Sequence, residues 1–179
     1  MNDNILKGTL VQLRAIEPAD LDFIFRMEND PTIWKVGNTL IPFSRYQLEQ
    51  YILTTQHDFY VEKQLRLMIG IPLPDEGKKT IGMIDLYDFD PHHERAGVGI
   101  LVLPEEREKG YALDALQVLI RYSFSILKLH MLHCNITVDN TPSIRLFEKA
   151  GFSQCGLKKE WRYMDNRWMD ELMFQLIRP

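Results

Sequence analysis

The stretch Leu103-Pro104-Glu105-Glu106-Arg107-Glu108-Lys109-Gly110-Tyr111-Ala112 decides how the rest of the chain is read. It joins an apolar run at 95–103 to an amphipathic run at 109–127. Pro104 has no N–H to give a ladder and ends the strand. The chain then enters the helix with small residues at Gly110 and Ala112. Open amides at a helix N-terminus, reinforced by the helix dipole, suit a bound diphosphate. Gly110 removes a Cβ where backbone must approach phosphate closely, and Arg107 and Lys109 add mobile positive charge. No Gly-Lys-Ser/Thr follows, so this is not a Walker loop, and the spacing is not a dinucleotide fingerprint. Taken alone, the same residues also fit a plain turn with solvated charges.

Working outward, the run 95–103 is apolar on both faces towards its end, which predicts a central strand. In the helix at 109–127, Ala112, Leu116, Leu119, Ile120, Ser123 and Leu127 recur on one face. A strand at 131–138 follows, with Leu132, Cys134, Ile136 and Val138 on one side. The helix at 140–150 opens on Asn140 as N-cap and closes at Gly151. Asn140 and Ser143 lie one turn apart, within reach of amide groups on a ligand lying between the two strands. A capped packing helix explains the same residues without a ligand.

The remaining elements are a strand at 9–14, helices at 18–28 and 44–55, and a hairpin of strands 59–71 and 80–87. Pro18 sits at the first turn of its helix, and Asp20 and Asp22 lie near the positive end. The hairpin turns on Pro72-Leu73-Pro74-Asp75-Glu76-Gly77-Lys78-Lys79, a loop rather than a domain boundary. A closing hairpin, 152–161 and 168–177, turns at Asp165-Asn166-Arg167. The order predicts an α/β (mixed α+β) fold, with helices on both faces of a mixed sheet.

The chain has 179 residues, 45% apolar and 26% charged, with a formal charge of −4. That predicts one globular domain over 1–179. The charge disfavours a nucleic-acid partner. Cys134 and Cys155 form no CxxC pair and no zinc spacing, which predicts two packing thiols in a reducing compartment and no metal. No basic segment followed by an apolar stretch opens the sequence, and no apolar run is long enough for a membrane span. The expectation is a cytoplasmic protein without a membrane partner.

Arg107-x-x-Gly110-x-Ala112, a long helix, a strand, then Asn140-x-x-Ser143-x-x-Leu146-Phe147-Glu148-Lys149-x-Gly151-Phe152 resembles the GNAT superfamily of acetyl-CoA-dependent N-acetyltransferases. The two motifs in this order are specific, and the flanking elements fit, so the resemblance covers nearly the whole chain. Within the superfamily, residues 122–130 and the closing hairpin are most similar to bacterial spermidine/diamine N-acetyltransferases, with ribosomal-protein N-terminal acetyltransferases next. The resemblance implies a GNAT fold: a mixed, mostly antiparallel sheet of about seven strands, splayed between 95–103 and 131–138, with helices on both faces. It implies acetyl-CoA as cosubstrate and no metal. Leu101, Val102 and Leu103 would bond the pantetheine arm through their backbone. Arg107, Glu108, Lys109, Gly110, Tyr111 and Ala112 would cradle the pyrophosphate, and Asn140, Ser143 and Phe147 would meet the arm. Lys149 either reaches the nucleotide phosphates or is a solvated helix charge.

The implied reaction is direct transfer of acetyl to a primary amine in a ternary complex, the acceptor being a polyamine, a diamine or a protein N-terminus. Such an amine has a pKa of about 10 and must lose a proton before it attacks. The oxyanion needs a backbone N–H, and the leaving thiolate needs a proton or hydrogen bond. Many relatives use a Tyr for the last task, where this chain has Phe147; some carry a Glu early in the central strand, where it has Gly97. Ser143 is the substitute donor, and Asp85, with Glu160 as second choice, the substitute base. His92 and His93 have a suitable titration range but read more readily as solvated loop residues. Tyr46, Phe59, Tyr60, Tyr87, Trp161, Tyr163 and Trp168 could line an acceptor pocket and attract a cation. Phe147 and Gly97 keep open an alternative, a non-catalytic acetyl-CoA sensor on the same fold. A homodimer is the expected assembly on the general frequency of such oligomers.

Overall fold

The computed structural model describes residues 5–37, 39–54, 59–73 and 77–179. In chain order it contains β1 (Gln12–Ala15), a short 3₁₀ turn (Pro18–Asp20), α1 (Leu21–Glu28), α2 (Pro31–Gly37), α3 (Arg45–Thr54), α4 (Phe59–Glu62), β2 (Leu65–Pro72) and β3 (Lys78–Asp90). Then follow β4 (Arg95–Val102), a second 3₁₀ turn (Pro104–Glu106), α5 (Tyr111–Ser125), β5 (Met131–Thr137), α6 (Thr141–Lys149), β6 (Ser153–Met164) and β7 (Arg167–Ile177).

The strands form one seven-stranded sheet in the order β1-β2-β3-β4-β5-β7-β6. Every pairing is antiparallel except β4 with β5, which run parallel. That parallel contact covers only Arg95↔Met131, Ala96↔Leu132 and Gly97↔His133. Beyond Gly97 the two strands part, β4 staying on β3 and β5 on β7. The sheet therefore opens as a fork in its middle, and residues 98–102 keep one backbone edge without a strand partner.

A bulge sets which side chains face which layer. Ile69 pairs with Gly82 and Gly70 with Thr80, so Ile81 is an extra residue in β3, and the alternation reverses there. Ile81, Ile84 and Leu86 enter one core with Leu116 and Leu119 of α5 and Phe147 of α6. Met68 and Met83 point to the other face, into a second core with Ile24 and Met27 of α1 and Leu48 and Ile52 of α3. Helices thus cover both faces, as expected from the element order.

Two carboxylates fix the edges of this arrangement. Asp20 is buried and takes a bidentate pair from Arg14, 2.6 and 2.7 Å, while also accepting the Glu17 N–H at 2.9 Å. Asp114, in the first turn of α5, accepts the N–H groups of Thr9 (3.1 Å), Leu10 (2.7 Å) and Val11 (2.9 Å) and so ties the turn before β1 to α5.

The structure corrects several expectations. Residues 59–62 are helical rather than strand, and α2 was not anticipated; both are single short segments with too little periodicity to read. The first strand begins at Gln12, because the Asp114 contacts hold 9–11 in a turn. Val138 lies past the end of β5 and is exposed. Cys155 is exposed, so only Cys134 is a buried thiol. Residues 74–76 of the hairpin loop, residues 1–4 of the opening segment and Thr55 at the end of the helix expected at 44–55 lie outside the described residues. The last hairpin turns on Asp165 and Asn166, both at positive φ (49° and 60°), the two-residue geometry that suits twisted strands.

Candidate active site

The fork holds a cavity of about 780 Å³. Val98, Gly99, Ile100 and Leu101 of β4 line one side and Cys134, Asn135, Ile136 and Thr137 of β5 the other. Met83, Asp85 and Tyr87 of β3 contribute together, as period-two alternation requires. Asn140, Ser143 and Phe147 of α6 close one end, and Glu28 with Thr32 and Ile33 the other. Asn140 is the N-cap of α6, its side chain accepting the Ser143 N–H at 3.3 Å. Phe147 is 3% exposed and packs edge-on against Phe152.

The cavity wall is acidic. Glu28, Asp85, Asp139, Asp165 and Glu171 line it against two guanidiniums, Arg66 and Arg162, while Lys158 pairs with Glu171 at 3.3 Å and Arg167 with Asp139 at 3.8 Å from outside the lining. Arg66 is buried under the wall. It donates to both oxygens of Asp85, at 2.8 and 2.9 Å, and to Glu28 at 2.5 Å, and lies against the Tyr51 ring. Burial opposes its charge, but Asp85 and Glu28 outweigh burial and hold it protonated well above its ordinary value. One cation thus anchors two carboxylates and leaves a net negative charge facing the cavity. Glu171 is buried and lines both this cavity and a smaller polar one of about 350 Å³ beside Lys158 and Trp161.

The 103–112 loop lies outside the cavity lining, at the end of β4. Gly110 is the N-cap of α5 in the left-handed region (φ 85°) with no side chain capping it, and Glu108 is also left-handed (φ 62°). The first amides of α5 are therefore open, in a backbone shape that suits an anion. Glu106, the buried carboxylate beneath, is neutralised by Lys109 (2.8 Å) and Lys79 (2.5 Å), which hold its carboxyl below the ordinary value. Arg107 Nε donates to the Val102 carbonyl at 3.1 Å, tying loop to strand. Unpaired strand edge, open amides and neutralised carboxylate fit a ligand with an amide-bearing arm and a diphosphate.

The acetyltransferase (GNAT) domain family matches residues 11–153. The chain belongs to the GNAT acetyltransferase family. It is 29% identical over 158 residues to spermidine N(1)-acetyltransferase of Vibrio cholerae serotype O1, spanning 88% of this chain and 87% of that protein. It is 25% identical over 147 residues to spermidine N(1)-acetyltransferase of Escherichia coli strain K12, spanning 82% of this chain and 74% of the relative. The crystal structure of the Vibrio cholerae spermidine N-acetyltransferase in complex with CoA and spermine matches with a TM-score of 0.85 at 26% identity, covering 95% of this chain and 96% of the other.

This GNAT acetyltransferase brings some of the expected site residues together and separates others. Leu101, Asp85, Asn140, Ser143 and Phe147 share the cavity. Val102 and Leu103 are buried at the strand end, and Tyr111 and Ala112 pack against the main core. Lys149 is exposed in the last turn of α6. Glu160 is displaced. The β6–β7 register jumps from Lys158↔Glu171 to Arg162↔Met169, and Glu160 sits in that bulge at φ 49°, donating its N–H to Asp170 at 2.8 Å with its side chain exposed. It does not line the cavity. His92 and His93 are exposed in a turn whose N–H groups bond Asp90. Of the seven aromatics expected at the acceptor, only Tyr87 lines the cavity. Trp161 and Tyr163 line the smaller pocket, and Phe59 and Tyr60 pack on Phe89.

Sequence reading missed Arg66, Glu28 and Glu171. Arg66 reads as an ordinary polar strand residue, and only the β2–β3 register (Arg66↔Asp85) exposes its role. Among the described residues no His/Cys/Asp/Glu group is arranged to hold a metal, and no helix is long and apolar enough to cross a membrane.

Proposed function

We propose that this GNAT acetyltransferase moves the acetyl group of acetyl-CoA to a primary amine of a polyamine. The acidic cavity carries this reading: carboxylates outnumber guanidiniums in a fork that a pantetheine arm would enter from the 103–112 loop. A polycation is drawn into such a wall and held by it. The Vibrio cholerae relative, bound to CoA and spermine, supports the same donor and acceptor class.

In this reading the arm lies along the free edge of residues 98–102, with Asn140 and Ser143 on its flank and the α5 amides at its diphosphate. Glu28 and Asp85, anchored by Arg66, hold a distal ammonium. The reacting amine, neutral at the moment of attack, adds to the thioester carbonyl, and a backbone N–H of the free β4 edge faces the developing oxyanion. Alignment in the fork supplies several kcal/mol of the acceleration.

Acetyl-CoA-dependent thiol release should be measured over spermidine, spermine, short diamines and peptides beginning with Ala or Ser. The expected result is turnover on the polyamines. Turnover on the peptides alone would move the acceptor to a protein N-terminus. No turnover, with a thermal shift on adding acetyl-CoA equivalent to about 2.7 kcal/mol at 100 times the dissociation constant, would favour a sensor instead.

A further inference from the structure

Tyr87 lies where β4 and β5 begin to part. Its Cα partner is Gly97, which is also the last residue of β4 paired with β5. The ring covers Gly97 closely: a Cβ there would stand 2.3 Å from ring carbon Cε2 and 2.5 Å from Cζ, the carbon that bears the hydroxyl. A Cβ at Gly99 would meet the same ring at 3.8 Å. β4 thus provides a floor of two glycines for one phenol, and the phenol takes the space a side chain at 97 would fill. Tyr87 lines the cavity, and no described residue is hydrogen-bonded to its hydroxyl. A cavity-lining hydroxyl without a partner among the described residues is a group left for a ligand.

The reaction needs a mobile proton at this place. The other hydroxyls on the cavity wall, Ser143 and the threonines, are weaker acids than a phenol. Phe147 has no hydroxyl, and the Cys134 side chain is buried in the main core. We propose that the Tyr87 hydroxyl carries the proton of the acetyl transfer, giving it to the departing thiolate and taking up the proton the new amide nitrogen sheds. The proposal rests on the amine-acetylation reading. The N–C bond forms, the C–S bond breaks, the thiolate leaves as free thiol, and the tyrosine ends the cycle protonated. The His133 ring of β5 stands edge-on to Tyr87, Gly97 and Gly99 of β4 lie against its ring, and the nearby Cys134, Asp88, Glu171 and Asp85 reinforce the effect of burial on the phenol. Burial pushes the phenol up to about 12, so it stays loaded with its proton throughout the neutral range.

The test is Tyr87→Phe, which keeps the ring over Gly97 and removes only the unpartnered hydroxyl; its melting temperature should match that of the parent. With acetyl-CoA and spermidine, kcat should fall about 100-fold with both KM values unchanged. With an aryl thioester of acetic acid, whose arenethiolate departs without needing a proton, the defect should largely vanish. A Tyr87→Phe enzyme as fast as the parent, or one equally slowed on both donors, overturns the proposal. If the parent enzyme itself turns over no amine, the underlying acetylation reading falls instead.

Discussion

Arg66 shows how one residue holds a site together. Its side chain is 14% exposed and it is the shared partner of Glu28 and Asp85. Removing one member of a buried ion cluster leaves the others uncompensated, which costs about 3–5 kcal/mol. Arg66→Met should therefore lower stability by that amount in chemical denaturation, far more than loss of an exposed arginine. Gly97 makes a second residue-scale argument. Gly97→Ala places a methyl inside the Tyr87 ring, and overpacking of this kind costs about 1–3 kcal/mol. In a Tyr87→Ala background the same substitution should cost much less, so a double-mutant cycle should show strong coupling. Asp20 provides the pH dependence. Burial would raise its carboxyl, but the Arg14 pair and the Glu17 N–H win and hold it below the ordinary 3.8. The folded state then binds fewer protons than the unfolded one. Its contribution is present above about pH 4 and lost as pH falls through the folded value. Asp20→Asn should flatten the acid limb of the stability profile and lower stability at neutral pH.

At the scale of elements, α6 and α5 begin with differently finished ends. α6 is capped by Asn140, whereas α5 opens on a left-handed glycine with no side-chain cap. An N-cap to alanine change costs about 1 kcal/mol. Asn140→Ala should lose that stability and also raise KM for acetyl-CoA. Asn140→Ser should recover the stability, because a hydroxyl caps as well, without recovering KM. The open end of α5 is kept in place from outside, by Asp114 and its three backbone donors. The bulge in β6 is an equally local device: by adding residues to one strand it turns Glu160 outward while leaving Glu171 beneath the cavity.

At the scale of the whole molecule, a net charge of −4 is modest, and what matters is its distribution. The cavity concentrates carboxylates around a single opening of the sheet. Attraction between that wall and a polycation is screened over about 10 Å at 0.1 M salt. The kcat/KM for spermidine should therefore fall as ionic strength rises, more steeply than for a monoamine measured in the same series. Equal salt dependence for both would show that the wall does not select charge.

Much of this was present in the order of residues. Arg107-x-x-Gly110-x-Ala112, Asn140 and Gly151 report local backbone events, and alternation in β3 and β5 reports which side chains share a face. Such signals reach only a few residues along the chain, so they specify helices, caps, the βαβ step and the fold family. The fork, the Tyr87 ring over Gly97, the Arg66 cluster and the outward turn of Glu160 depend on which strand lies beside which, and in what register. Register is fixed by bulges in β3 and β6 and by packing on both faces, where residues as far apart in the chain as Glu28 and Arg66, 38 positions, must fit at once. Gly97 alone reads as a missing carboxylate; beside Tyr87 it is the space that admits a phenol.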